Sequence, residues 1–330
     1  MRRREFIGIM GGAAAWPLTA HAQHSEPMRR IGMLMGYAED DSEGQARAMA
    51  FLDGLQKLGW SPGRNIRVDV RWASPSENDA RQRLAQELVA LQPDLIFSNN
   101  TLTTKELLKQ TRSIPILFGG VSDPVGNGFV ANYRRPGGNV TGFTNTEPLL
   151  GGKWVQLLKE IAPRVERVTL LLSLEMVSYA EVYVVPFKAA ASSLGVTAVV
   201  ESVRDKAEIE SAVAAQARGP NGGLVVMPES FFVAHRSEVI SLAAQYRLPC
   251  VYPFRAFAEE GGLLSYGNDQ IDNFRRAAGY ADRILKGEKP GELPVQAPVK
   301  YELIINLKTA NTLGLEVPIS LQQRADALIE

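Results

Sequence analysis

Short apolar runs alternate with amphipathic segments along the first part of this chain. The apolar runs are rich in β-branched residues and have the length of strands, whereas the intervening segments carry apolar residues at helical spacing. The predicted strands are 30–35, 66–72, 95–98, 116–121 and 140–143, and the predicted helices are 43–58, 78–91 and 102–110. Continuous apolar strands separated by helices predict a parallel sheet that is covered on both faces.

The pattern breaks at a turn, Arg135-Pro136-Gly137-Gly138-Asn139, and then begins again. In the second part the predicted helices are 153–161, 180–194, 206–218 and 234–246, and the predicted strands are 167–172, 196–200, 224–227, 250–252 and 263–266. A chain of 330 residues, 45% of them hydrophobic, can fill more than one core. The sequence therefore predicts an α/β protein with two Rossmann-like lobes, each built on a parallel sheet.

The first 22 residues have the organisation of an export signal. Arg2-Arg3-Arg4 supplies a basic start, the apolar stretch 7–18 is too short to span a bilayer, and Ala20-His21-Ala22 is a small-x-small cleavage pattern. We expect cleavage after Ala22 and a periplasmic product. Arg3-Arg4-Glu5-Phe6-Ile7 fits the twin-arginine pattern, but general secretory signals also begin with several arginines, so both export routes stay open.

The charge balance argues against a nucleic-acid partner. The chain has 36 basic and 36 acidic residues, and removing Arg2, Arg3, Arg4 and Glu5 with the signal leaves 33 and 35, a net charge of about −2. The sequence has no basic stripe typical of a nucleic-acid binder and no block of like charge that suggests a membrane-surface patch. The single cysteine, Cys250, lies in an apolar run and is expected to be a small core residue rather than a nucleophile.

Polar and small residues follow the predicted strands in both halves. Ligands of open parallel sheets bind beyond the carboxyl ends of the strands, so these positions predict a ligand site in a cleft between two lobes. Helix capping is the alternative at each single position and stays open. The strand-end residues are Gly36, Tyr37, Asn99, Asn100, Thr101, Ser122 and Asp123 in the first half, and Ser173, Glu229, Ser230 and Phe231 in the second.

Signatures of catalysis are scarce. Of the three histidines, His21 lies in the predicted signal, His24 follows it directly, and His235 begins a predicted helix. The sequence has no G-x-x-x-x-G-K-[ST] loop and no G-x-S-x-G elbow. We therefore predict no catalytic residues, no metal and no cofactor. A secreted α/β enzyme that acts on a small carboxylate, with Asp123 or Glu229 as acid or base, is the alternative.

An ordered series of motifs resembles the ABC-transporter substrate-binding family, which includes tryptophan- and tyrosine-binding members. Two segments carry most of the resemblance: Gly119-Gly120-Val121-Ser122-Asp123-Pro124-Val125-Gly126, and Arg135-Pro136-Gly137-Gly138-Asn139-Val140-Thr141-Gly142. Further matching segments are 114–116, 261–267, 284–287, 293–295 and 305–310. The similarity covers nearly the whole chain.

The resemblance implies a type I periplasmic-binding-protein fold, in which two lobes joined by three crossovers close on a ligand. Gly142 and Gly267 would then act as hinges. The implied limits are 29–144 plus 267–297 for the N-terminal lobe and 145–266 plus 298–330 for the C-terminal lobe.

The resemblance also implies a function. The protein would be the monomeric, periplasmic component of an ABC importer, and would deliver a small organic solute, such as an amino acid or an aromatic or carboxylate compound, to permease subunits in the inner membrane. A sensory module that serves a membrane receptor is a further alternative.

The family's strand-end contacts carry over to the eleven strand-end residues named above and to Tyr179. Asp123 or Glu229 would pair with a ligand ammonium and Thr101 with a carboxylate, while Tyr37, Tyr179 and Phe231 would enclose an apolar part. Asn99-Asn100-Thr101-Leu102 and Ser173-Leu174 depart from the family pattern in this zone, so the identity of the ligand stays open.

Overall fold

A computed structural model describes residues 28–74, 77–145, 147, 149–174 and 180–330. The predicted export signal, 1–22, lies outside these residues.

The first sheet contains five parallel strands in the order β2-β1-β3-β4-β5. Its strands are β1 (Arg29–Met35), β2 (Ile66–Trp72), β3 (Leu95–Ser98), β4 (Ile116–Val121) and β5 (Val140–Thr144), and its helices are α1 (Ser42–Lys57), α2 (Asn78–Ala90) and α3 (Thr101–Gln110). Every residue of the central strands β3 and β4 is buried, as expected for strands covered on both faces, and the edge strand β5 is also fully buried.

The second sheet contains seven strands in the order β12-β11-β10-β9-β8-β6-β7. Its strands are β6 (Arg167–Ser173), β7 (Thr197–Val203), β8 (Gly222–Val226), β9 (Cys250–Tyr252), β10 (Leu264–Asn268), β11 (Tyr301–Asn306) and β12 (Ala327–Ile329). The accompanying helices are α4 (Leu150–Ile161), α5 (Glu181–Ser193), α6 (Lys206–Ala217), α7 (Ser230–Ala234), α8 (Arg236–Gln245), α9 (Arg255–Glu259), α11 (Leu307–Thr312) and α12 (Ile319–Arg324), while α10 (Gln270–Leu285) lies between β10 and β11 in the sequence. The prediction of two α/β lobes is confirmed. The second sheet is not purely parallel, because β11 returns antiparallel to β10.

Helix α10 belongs to the first lobe although it follows a strand of the second. It packs along α1 and against β4, and Phe274 meets Phe97 with ring centroids 5.3 Å apart. Trp60, which follows α1, donates from Nε1 to Asp282 Oδ1 of α10 over 2.8 Å. This hydrogen bond also ties α10 to the first lobe. The chain therefore passes between the lobes after β5, after β10 and before β11, which confirms the three crossovers.

The two glycines predicted as hinges lie inside strands. A Cβ atom on Gly142, which has φ +156°, would lie 2.1 Å from the carbonyl oxygen of Phe118, and one on Gly267 would lie 1.9 Å from that of Pro253. Close backbone approach therefore requires glycine at both positions. Gly267 and Asn268 pair with β11, so the second crossover leaves the second sheet after Asn268, two residues later than predicted. The lobe limits otherwise stay a prediction.

Candidate functional site

The carboxyl ends of strands from both sheets border one cavity between the lobes. The first lobe contributes Asn100, Thr101, Leu102, Gly120 and Ser122, the second contributes Ser173, Pro228, Glu229, Ser230 and Phe231, and Asn145 lies at the first crossover. The cavity volume is about 40 Å³, well below the roughly 300 Å³ at which small-molecule sites begin. The walls touch across the cavity, so entry of a molecule as large as an amino acid requires the lobes to separate.

The orientation of Asn100 is fixed by the helix that follows it. Its Oδ1 accepts from the backbone N–H of Thr103 over 2.9 Å, and its own N–H donates to Thr103 Oγ1 over 3.2 Å, which completes a capping box on α3. Because the amide oxygen serves the cap, Nδ2 points into the cleft. There it donates to Ser230 Oγ of the other lobe over 2.7 Å.

Gly36 and Asn99 support Asn100 from behind rather than line the cavity. Asn99 Oδ1 accepts from the backbone N–H of Gly36 over 2.6 Å. A Cβ atom on Gly36 would lie 2.3 Å from Asn100 Nδ2, so only glycine leaves room for this position of the Asn100 side chain. Both residues were predicted as site residues from their positions after strands, and in the structure they lie behind Asn100.

A chain of hydrogen bonds connects the first lobe to the second through the first crossover. Thr101 Oγ1 accepts from the N–H of Ser122 over 3.1 Å, and Ser122 Oγ donates to Asn145 Oδ1 over 3.1 Å. Asn145 Nδ2 in turn donates to the carbonyl oxygen of Pro228 over 3.4 Å. Asn145 was not predicted as a site residue. Its signal in the sequence is a polar side chain at the predicted crossover, where the base of a cleft must lie.

The second wall carries a buried carboxylate. Glu229 is 6% exposed, and its two carboxylate oxygens accept from the backbone N–H of Ser173 over 3.0 and 3.2 Å. Phe231, half-buried beside it, packs against Phe232 and against His235, with ring centroids 5.2 and 4.7 Å away. This wall thus combines a negative charge with an aromatic surface.

Two further predicted site residues lie outside the cavity lining. Tyr37 is 2% exposed and packs on Gly44, and burial raises the pKa of its hydroxyl to about 12. Asp123 has φ +40° and its Oδ1 accepts from the N–H of Gly126 over 2.8 Å, so its carboxylate closes a local turn outside the cavity lining. Tyr179 lies outside the described residues.

The part of the chain that the structure describes shows neither a membrane-spanning helix nor a cluster of metal-binding side chains. No helix there is long and apolar enough to cross a membrane. The same residues contain no group of three or more His, Cys, Asp or Glu side chains that could hold a metal ion.

Two α/β lobes, joined by three crossovers and bordering a shared cavity, define a bilobal solute-binding protein. Residues 37–329 match the family described as ABC transporter substrate binding protein, and the chain belongs to this family. Its members are non-catalytic binding proteins that act outside the cytoplasm.

The relatives include amino-acid-binding proteins. A tyrosine-binding protein from Clostridioides difficile (strain R20291) is 25% identical over 266 residues, which span 81% of this chain and 76% of that protein. An ABC domain from Streptococcus pneumoniae in complex with L-Trp is 26% identical, covers 91% of this chain and 99% of its own, and gives a TM-score of 0.84.

Another solved structure that resembles this chain is open and ligand-free. The ligand-free, open structure of a substrate-binding protein with adhesive properties from Clostridium difficile is 24% identical to this chain and gives a TM-score of 0.69. The match covers 91% of this chain and 99% of that one.

Proposed function

We propose that this protein is the periplasmic binding component of an ABC importer and that it captures an amino acid, with L-tryptophan and L-tyrosine as the first candidates. The observation that carries the proposal is the opposition of two unlike walls across one cavity. Asn100 Nδ2 and the N-terminus of α3 lie on one side, and the Glu229 carboxylate lies on the other. The tyrosine-binding relative and the L-Trp complex support the choice of ligand class.

The two walls match the two charges of an amino acid. On the first wall, the Asn100 amide and the positive end of the ten-residue helix α3 favour a carboxylate. On the second wall, Glu229 is the partner for an ammonium group through a charge-assisted hydrogen bond. Phe231 offers an aromatic surface to the ligand's side chain.

Ligand binding to both walls would shift the population towards the form with the lobes in contact. Permease subunits in the inner membrane would then recognise that form and receive the ligand. In this proposal the mature chain begins at Gln23, acts as a monomer and binds no cofactor. N-terminal sequencing of the protein recovered from the periplasm tests the cleavage site.

A thermal-shift screen of the twenty amino acids, followed by calorimetry of those that bind, tests the ligand class. A ligand at 100 times its Kd stabilises the folded protein by about 2.7 kcal/mol, so a cognate amino acid will raise Tm clearly. Tryptamine, which lacks the carboxylate, and indole-3-propionate, which lacks the ammonium, are matched controls for L-tryptophan and should bind more weakly. Absence of a shift with every amino acid would overturn the proposal.

A further inference from the structure

An ion pair joins the two lobes outside the ligand cavity. Asp41 Oδ2, in the first lobe, lies 2.8 Å from Arg236 Nη1, in the second, and each side chain is 13% exposed. The two residues are 195 positions apart in the sequence, and neither lines the cavity. The contact therefore exists only where the lobes meet.

Each partner is held in place within its own lobe. Asp41 caps α1, because its Oδ1 accepts from the backbone N–H of Gly44 over 2.8 Å while Oδ2 faces Arg236. Arg236 donates to Glu260 Oε1 over 2.5 Å and to the carbonyl oxygen of Val233 over 3.0 Å. Both side chains are thus oriented before they meet, so little side-chain freedom is lost when the pair forms.

The charges on the two groups favour the pair. Burial lowers the pKa of the Arg236 guanidinium, but its hydrogen bonds to Glu260 and Asp41 outweigh that effect, so its pKa is raised and it stays charged. Separation of the lobes would return Asp41 and one side of Arg236 to water. Desolvation therefore offsets part of the attraction between the two charges in the closed form.

A second contact to the opposite lobe comes from within α1. The Arg47 guanidinium carbon is 5.2 Å from the ring centroid of Phe254 in the second lobe, and Glu43 pairs with Arg47 over 2.8 Å. Helix α1 therefore presents both an acidic and a cationic group to the opposite lobe, although it contributes nothing to the cavity lining.

We propose that Asp41 and Arg236 determine ligand affinity from outside the cavity, because their ion pair stabilises the closed form whatever ligand lies between the lobes. This inference rests on lobe closure and not on the amino-acid ligand. Part of the affinity will then weaken as salt is added, even for an uncharged probe, since ions screen a partly exposed pair.

Asp41→Asn is the decisive variant. Asparagine caps a helix as well as aspartate does, so the fold of α1 is kept while the charge is lost. We expect calorimetry to show about two- to fivefold weaker binding of L-tryptophan or L-tyrosine, with little change in Tm. Arg236→Met should weaken binding by a similar factor. The double variant Asp41→Asn with Arg236→Met should bind no more weakly than the weaker-binding single variant, because both changes remove the same interaction. Arg236→Lys should retain part of the affinity.

Asp69→Asn is the matched control. Asp69 pairs with Arg30 over 2.7 Å inside the first lobe and is also 13% exposed, so its loss should leave ligand affinity unchanged. Small-angle scattering of each protein without added ligand supplies a second readout, in which Asp41→Asn should give a larger radius of gyration than wild type and Asp69→Asn should not.

The two proposals fail in different ways. If neither amino acid binds wild type, the ligand proposal is wrong and scattering still tests the ion pair. If Asp41→Asn matches wild type in radius, and in affinity wherever binding is measurable, the ion pair does not influence closure.

Discussion

The two walls of the cavity differ in how they are built and in what they offer. On the first wall, Asn100 is locked by the capping box of α3 and presents a neutral donor whose direction is set by the backbone. On the second wall, Glu229 presents a carboxylate that is held by the backbone N–H of Ser173. The first wall is thus defined by a helix terminus, and the second by a buried charge.

This difference has an energetic side. A carboxylate that is 6% exposed is costly unless it is hydrogen-bonded or paired. Burial of the neutral Asn100 amide costs little free energy, because its oxygen is already hydrogen-bonded in the cap. Little hydrogen-bond energy is lost when the partner of its Nδ2 changes from Ser230 to a ligand. We therefore expect the second wall to dominate affinity and the first wall to adjust it.

Replacement of Glu229 by Gln should have the largest effect. Gln keeps the size and an oxygen acceptor for the Ser173 N–H but removes the charge that would meet a ligand ammonium. Calorimetry with L-tryptophan or L-tyrosine should show at least about thirtyfold weaker binding, equivalent to about 2 kcal/mol. Any residual binding of indole-3-propionate, which has no ammonium, should not fall. Equal affinity of Glu229→Gln and wild type would show that the charge of Glu229 does not contribute to ligand binding.

Replacement of Asn100 by Ser tests the first wall. Serine is a good N-cap, so α3 should keep its start and Tm should change little. The shorter side chain cannot reach across the cleft, and the loss of one donor should weaken amino-acid binding by about tenfold. Tryptamine, which lacks a carboxylate, serves as the control ligand and should lose less. A large fall in Tm with unchanged affinity would restrict Asn100 to capping.

Replacement of Gly36 by Ala should weaken binding through Asn100. The added Cβ would lie 2.3 Å from Asn100 Nδ2 and must displace it. We expect about a threefold to fivefold loss of affinity, within the usual range for a displaced hydrogen-bond donor. The double variant Gly36→Ala with Asn100→Ser should bind no more weakly than Asn100→Ser alone, since both changes remove one interaction. If the losses of binding free energy from the two substitutions add in the double variant, Gly36 influences binding independently of Asn100.

Much of this architecture was predictable because it depends on local pattern. Buried strands such as 116–121 are continuous apolar runs, and the strand-end rule placed Asn100, Thr101, Ser122, Ser173, Glu229, Ser230 and Phe231 at one edge, where they do line one cavity. Helix α9 and strand β12, with five and three residues, are too short to give a periodic signal. The helix predicted at 234–246 is α8, and the five-residue helix α7, which ends at Ala234, was not predicted.

The remaining part of the site depends on how the lobes dock and where side chains turn. Asn145 and Gly120 also line the cavity, although Asn145 lies at the first crossover and Gly120 lies inside β4 rather than after it. Tyr37 follows β1 as predicted, yet its ring packs on Gly44, where the missing Cβ leaves room for it. Position after a strand indicates the edge of the sheet but does not give the direction of a side chain.

Replacement of Asp123 by Asn should have the smallest effect, and it decides which wall holds the ammonium partner. Position after a strand made Asp123 and Glu229 equal candidates, but the Asp123 carboxylate closes a turn with Gly126 outside the cavity lining. Asparagine tolerates φ +40° and can accept the same hydrogen bond, so the variant removes charge alone. We expect calorimetry to show less than about a twofold change in amino-acid affinity, within the range of surface charge effects. A loss as large as that of Glu229→Gln would place a charge on the first wall and reverse the comparison, because the ligand would then lie with its ammonium towards the first lobe.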